Sequence, residues 1–88
     1  SWAGSIMSDC DFTGSDLLHT NFNGIRTRDC SFNDSDLYFS TFINARMDDT
    51  TFRDCNLKKV NFCESKRVNV DFKYSNYEEA LFREEIRF

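Results

Sequence analysis

The sequence predicts an all-β solenoid with four faces, each coil of the chain stacked on the coil before it. Three observations carry this. Large apolar residues fall on a five-residue grid: Trp2, Met7, Phe12, Leu17, Phe22, Phe32, Leu37, Phe42, Met47, Phe52, Leu57, Phe62, Phe72, Tyr77 and Phe82. The residue two places before a grid point is nearly always small, as at Ser5, Cys10, Ser15, Thr20, Cys30, Ser35, Ser40, Ala45, Thr50, Cys55, Ser65, Ser75 and Ala80. The kind of grid residue then recurs every twenty positions. A fixed internal repeat of this sort settles the architecture before local propensity does.

A beat of five fits neither common period. An amphipathic helix places apolar residues three and four apart, and a half-buried strand alternates them. Five residues suit a chain that turns a corner after each short extended segment. Residues two apart on an extended segment point the same way. The grid residue and its small partner therefore both point inward, and the other three residues make the corner and the outer surface. Gly4, Gly14 and Gly24 all fall at the last position of a unit, where a corner calls for unusual backbone angles.

The twenty-residue beat orders the faces. The first column is Trp2, Phe22, Phe42, Phe62 and Phe82; the second is Met7, Thr27, Met47, Arg67 and Arg87. The third is Phe12, Phe32, Phe52 and Phe72, and the fourth is Leu17, Leu37, Leu57 and Tyr77. Equivalent residues stack on successive coils, so the aromatics form ladders along the axis. The second face is irregular. Arg67 occupies one of its inward positions, and an unpaired buried charge is too costly to persist. A local bulge or an outward escape toward Glu85 or solvent is therefore expected there.

The units Cys10-Asp11-Phe12, Ser15-Asp16-Leu17, Thr20-Asn21-Phe22, Ser35-Asp36-Leu37, Cys55-Asn56-Leu57 and Ser75-Asn76-Tyr77 share one pattern. A small residue is followed by Asp or Asn, then Leu, Phe or Tyr, then two free positions. This resembles the pentapeptide-repeat proteins, and the match runs from about residue 5 to 82. The resemblance implies a right-handed quadrilateral β-helix. Departures are Ile25, Val60 and Val70 at the small position, with Thr27, Arg67 and Arg87 at the central one.

With 88 residues, the chain reads as one domain, 1–88. No segment reaches the length of a membrane span. Cys10, Cys30 and Cys55 take inward small positions, where a free thiol acts as a small hydrophobe. Cys63 falls outward. Parallel stacked thiols rarely offer a disulfide dihedral, so the cysteines read as reduced and the compartment as cytoplasmic. No metal site is expected, because His19 is the only histidine and no Cys-x-x-Cys pair exists. No cofactor is implied. His19 sits at an outward corner, carboxylates on a convex rod solvate it, and catalysis needs a concave site. The chain reads as a non-enzyme.

What remains is surface. Net charge is −4, concentrated in the first half, where Asp9, Asp29, Asp34 and Asp36 form a candidate acidic surface. Arg26, Arg46 and Lys66 form a ladder on one side of the irregular face, and Asp9, Asp29, Asp49 and Asn69 form another on its other side, which suggests cross-coil ion pairs. Leu18, Tyr38, Phe39 and Ile43 form a candidate partner-binding patch of outward apolar residues.

From about residue 78 to 88 the sequence favours helix, with early acids and with Phe82 and Ile86 four apart. A solenoid end exposes strand edges that need a cover, so a short helical cap is expected. A homodimer through a solenoid end is a second way to cover it.

Two functional classes follow. The first is a structural or protein-interaction module with an unidentified protein partner. The second comes from the family resemblance: some members imitate duplex DNA and bind type II topoisomerases such as DNA gyrase. Stacked coils rise about 4.8 Å each, giving a rod of roughly 20 Å. Duplex DNA of that length carries about twelve charges, which exceeds the net charge here. The interaction module therefore ranks first. Direct nucleic-acid binding is disfavoured, since an acidic surface repels phosphates.

Overall fold

The computed structural model describes residues 2–82. The chain winds as an all-β quadrilateral solenoid, with equivalent residues twenty apart on successive coils. On the second face the coils pair as a parallel sheet of short strands: β1 (Ile6–Ser8), β2 (Arg26–Arg28), β3 (Arg46–Asp48) and β4 (Lys66–Val68), in sequence order. Register is twenty residues at every step, as in Met7↔Thr27, Thr27↔Met47 and Met47↔Arg67. The other faces pair through single bridges one place before the grid residue, such as Asp11↔Ser31, Asp16↔Asp36 and Asn21↔Thr41. The same backbone ladder runs on all four faces. On the third, Phe12 N–H donates to the Ser31 carbonyl at 2.7 Å and Ser31 N–H to the Cys10 carbonyl at 3.0 Å.

The predicted register is the observed one. Phe22, Phe32, Phe42, Phe52 and Phe62 are wholly buried, as are Leu37, Met47 and Leu57. Along each aromatic column the rings stack nearly parallel, at 4.7 Å for Phe22–Phe42 and 4.9 Å for Phe32–Phe52. Between the two columns they meet edge to face, at 5.8 Å for Phe22–Phe32 and 5.6 Å for Phe42–Phe52. Two opposite faces thus fill the interior with one interlocked set of rings. Such pairs add about 0.5–1.5 kcal/mol beyond the area they bury.

Every corner uses one device. The last residue of each unit from Gly4 to Tyr74 has positive φ, between 49° and 72°. On the first, third and fourth faces the corner is a four-residue turn, closed by bonds such as Ile25 N–H to the Phe22 carbonyl and Ala45 N–H to the Phe42 carbonyl. That bond with positive φ at the third residue is the type II pattern. No such closing bond forms at Met7, Thr27, Met47 or Arg67. There the chain stays extended for three residues, which is why only this face forms named strands.

The small inward residues do more than make room. Ser40 Oγ donates to the Leu17 carbonyl at 2.5 Å and accepts from Thr20 N–H at 2.9 Å. It closes, from the next coil, a turn that has no bond of its own. Ser75 does the same for Phe52 and Cys55, and Ser35 adds to the Phe12–Ser15 turn, which keeps its own bond at 3.2 Å. Inside the second face, Thr27 and Thr50 hydroxyls pair at 2.8 Å.

Four expectations change. Arg67 does not bulge: β4 keeps its register, and the half-buried guanidinium turns along the core, while Glu85 lies outside the described residues. Its Nη1 donates to Ser65 Oγ at 2.5 Å and to the Ser65 carbonyl at 3.2 Å, and its Cζ lies 4.9 Å from the centre of the Phe82 ring. Polar partners and a ring face satisfy the charge. Among the described residues the charged ladders beside the second face form no ion pair across coils. Arg46 binds Asp48 on its own strand at 3.1 Å, and Asp49 accepts from Asn69 at 2.6 Å. Arg53–Asp71, on the third face, is a cross-coil ion pair at 2.8 Å. Cys63 is half-buried rather than exposed. At the C-terminal end a single 3-10 turn, Tyr77–Glu79, replaces one corner. The repeat then resumes, with Leu81 bridged to Asn61 and Phe82 stacked on Phe62 at 5.1 Å. The remainder of the expected helical cap lies outside the described residues.

Candidate interaction surface

The corner that ends the fourth face carries the column His19, Phe39, Lys59, Glu79. The first three have positive φ, of 52°, 65° and 59°. Equivalent corners hold mainly Gly, Asp or Asn: Gly14, Asp34 and Asp54 with Tyr74 on one, Asp9, Asp29, Asp49 and Asn69 on another. Gly, Asp and Asn visit the left-handed region readily, whereas a bulky side chain does so at a cost of about 1–2 kcal/mol. Phe39 accepts that cost while remaining 47% exposed.

The ladder spacing stacks the column. The His19 and Phe39 rings lie 5.3 Å apart and 18° from parallel. Tyr38 leans on both, at 5.6 Å from Phe39 and 5.9 Å from His19. The Lys59 ammonium sits 5.6 Å from the Phe39 ring centre, where the ring quadrupole attracts it. Below this stack opens a shallow pocket of about 290 Å³, lined by Phe39, Thr41, Lys59, Asn61, Glu79 and Leu81. Its apolar walls are Phe39 and Leu81, the latter 56% exposed. Cationic and anionic groups stand at its rim.

Among the residues expected from sequence, Tyr38 and Phe39 meet directly. Leu18, 42% exposed, lies one coil before Tyr38 at the same outward position. Ile43 does not join them. It is half-buried at the far edge of the first face, beyond Thr41, with its N–H bonded to Asn23 Oδ1 at 2.9 Å. The patch continues along the axis to Lys59 and Leu81 instead. His19, Lys59 and Glu79 are the members that apolarity alone misses, and Leu81 is the one that the sequence assigns to the helical cap. The twenty-residue column 19, 39, 59, 79 contains three of them.

The candidate acidic surface divides. Asp9 and Asp29 stand at the corner before the third face, Asp34 and Asp36 at the corner after it. Arg28 lies 4.0 Å from Asp29. Nearby on the third face, Arg53 holds the Asp71 carboxyl below its ordinary range by a hydrogen bond, helped by the Lys73 backbone N–H. Burial pushes the Cys55 thiol above its ordinary range. All four cysteines are free. Among the described residues no group of His, Cys, Asp or Glu is placed to hold a metal ion, and no helix is long and apolar enough to cross a membrane.

A right-handed solenoid built from five-residue units, with stacked Phe columns and a corner at every fifth residue, defines the class. Residues 5–82 match the family described as the pentapeptide repeat region, and the chain belongs to that family. A solved pentapeptide repeat protein from the thylakoid lumen of Arabidopsis thaliana has the same fold, with a TM-score of 0.89 at 22% identity. The likeness covers 98% of this chain and 59% of that one, so the present chain spans about three fifths of that protein's length. A comparison with curated proteins found no match.

Proposed function

We propose that this chain is a non-catalytic interaction module that captures a protein partner at the Tyr38–Phe39 corner. The observation that carries the reading is Phe39: a large ring held at φ 65° and half exposed, where the fold favours Gly, Asp or Asn. Strain kept at a site that leaves the ring half exposed points to use. The pocket beneath it suits one apolar or aromatic side chain seated between Phe39 and Leu81, with an acidic neighbour reaching Lys59. Leu18 and Tyr38 extend the contact along the rod. The free, stacked thiols suit a reducing compartment, and we place the protein in the cytoplasm on that ground.

The test is capture of partners by the wild-type chain, followed by affinity measurements on the partner recovered. Tyr38→Ala and Phe39→Ala should each weaken binding about thirtyfold, the equivalent of about 2 kcal/mol at an anchor residue. Replacing Asp9, Asp29, Asp34 and Asp36 by Asn should change it little. The opposite pattern, together with inhibition of gyrase supercoiling by the wild-type chain, would replace this reading with the topoisomerase one.

A further inference from the structure

Two charged ladders stand at opposite corners of the rod, and each keeps charges without an ion-pair partner among the described residues. The first opens the strand face. Arg26, Arg46 and Lys66 are in register on β2, β3 and β4, so cations stack at the coil spacing of about 4.8 Å. Arg46 has Asp48 as a partner. Arg26 and Lys66 form no ion pair among the described residues. The second ladder lies two faces further on. There Asp34 and Asp54 occupy one corner column and Asp16 and Asp36 the next outward column, bridged in register. Asp16 and Asp36 accept backbone N–H bonds from Leu18 and Tyr38, and Asp36 also accepts from the Asn56 amide, but none of these carboxylates has an ion-pair partner among the described residues. Like charges directly opposite one another on neighbouring strands destabilise a sheet. The fold carries that cost twice, with opposite signs.

Two faces apart on a four-faced rod is diametrically opposite, so the molecule carries a transverse charge dipole. Both ladders have the same repeat, because the same coils set both. We propose that a second copy of this chain docks side by side with the first, its Asp16, Asp34, Asp36 and Asp54 corner against the Arg26, Arg46 and Lys66 corner. In parallel, unshifted rods, Arg26 faces Asp34 and Asp36, and Arg46 faces Asp54. The two corners are different surfaces, so the contact is heterologous and leaves one ladder of each sign unfilled at the ends of the pair. Such a contact propagates into a row rather than closing as a dimer. This surface is separate from the Phe39 corner and does not depend on the function proposed for it.

Sedimentation of the full chain over rising concentration, at low and at high salt, tests the proposal. At about 20 mM salt the weight-average mass should climb past that of a dimer without a plateau, and at about 500 mM it should return to the monomer as screening shortens the range of the attraction. Charge reversal gives the sharper arm. Arg26→Glu/Lys66→Glu makes both corners acidic, and Asp34→Lys/Asp54→Lys makes both basic; Lys59 shows that this chain seats a lysine at such a corner. Each variant alone should stay monomeric at low salt with a wild-type circular dichroism spectrum. A one-to-one mixture of the two should associate again. A wild-type chain that stays monomeric at low salt, an association that survives either reversal, or a mixture that does not associate would each overturn the proposal.

Discussion

The second face and the three turn-closed faces are built from the same five-residue unit, yet they solve the same problem differently. On the first and third faces the inward column is Phe at every coil from Phe22 to Phe62, and the rings are wholly buried. On the second face the column reads Met7, Thr27, Met47, Arg67, and the backbone carries the order through a continuous parallel sheet. Where strands run three residues and the corner needs no closing bond, the interior can vary. Where the corner is a tight turn, the inward column is uniform: Phe on the first and third faces, and Leu17, Leu37 and Leu57 on the fourth. Specificity of packing and regularity of backbone thus trade off around one square coil.

Several substitutions would break or sharpen that contrast. The largest effect belongs to the ring columns. Phe32→Ala or Phe52→Ala should cost about 3–5 kcal/mol in denaturant melts, because rings above, below and beside leave no way to collapse the cavity. Asn33→Ala, one place later and outward, should cost less than about 1 kcal/mol. On the second face the expected loss is smaller and polar in kind. Arg67→Met should cost about 1 kcal/mol, since charge-assisted bonds to Ser65 and the ring contact with Phe82 outweigh the gain from an apolar side chain. A stabilised Met variant would restore the view of Arg67 as a misplaced charge.

Ser40→Ala probes how the turn faces are tied together. It leaves the Leu17 carbonyl and Thr20 N–H without the hydroxyl that joins them, at about 1–3 kcal/mol. Unchanged stability would mean water replaces the bridge.

The pH response should be the mildest effect. The Asp71 carboxyl titrates below its ordinary 3.8 in the folded chain. Its contribution is therefore present above that pH and is lost as pH falls through the folded value. The Cys55 thiol titrates above its ordinary 9.0. Its contribution is full below 9.0 and declines as pH rises above it, because the unfolded thiol ionises first. Cys55→Ala should remove the alkaline slope, and melts at pH 7 and above 9 would show it.

The fold was legible because the fivefold beat constrains both the inward residue and its small partner. The beat alone puts Phe32, Leu37 and Ser35 inside. Arg67 was not legible: inwardness was read correctly, but a guanidinium long enough to turn back onto Ser65 and Phe82 escapes a rule about buried charge. Of the expected C-terminal cap only residues 78–82 are described. Glu78 and Glu79 do start a helical turn, but it lasts one turn because Leu81 and Phe82 gain more from the ladder than from a helix face. At the candidate surface, apolarity found Tyr38 and Phe39 and misplaced Ile43, since residues one corner apart in sequence lie at opposite edges of a face. The column rule, applied outward as well as inward, finds His19, Lys59 and Glu79.

The proposed function requires that Phe39 is kept for contact and not for folding. Phe39→Asn tests it directly, because Asn44 and Asn69 already occupy equivalent corners with φ of 59° and 53°. Relief of the left-handed strain should offset the lost ring contacts, leaving the thermal melt unchanged or raised by up to about 1 kcal/mol, while affinity for the captured partner falls at least tenfold. A variant that loses more than about 1 kcal/mol of stability, or that binds as the wild type does, would contradict the claim.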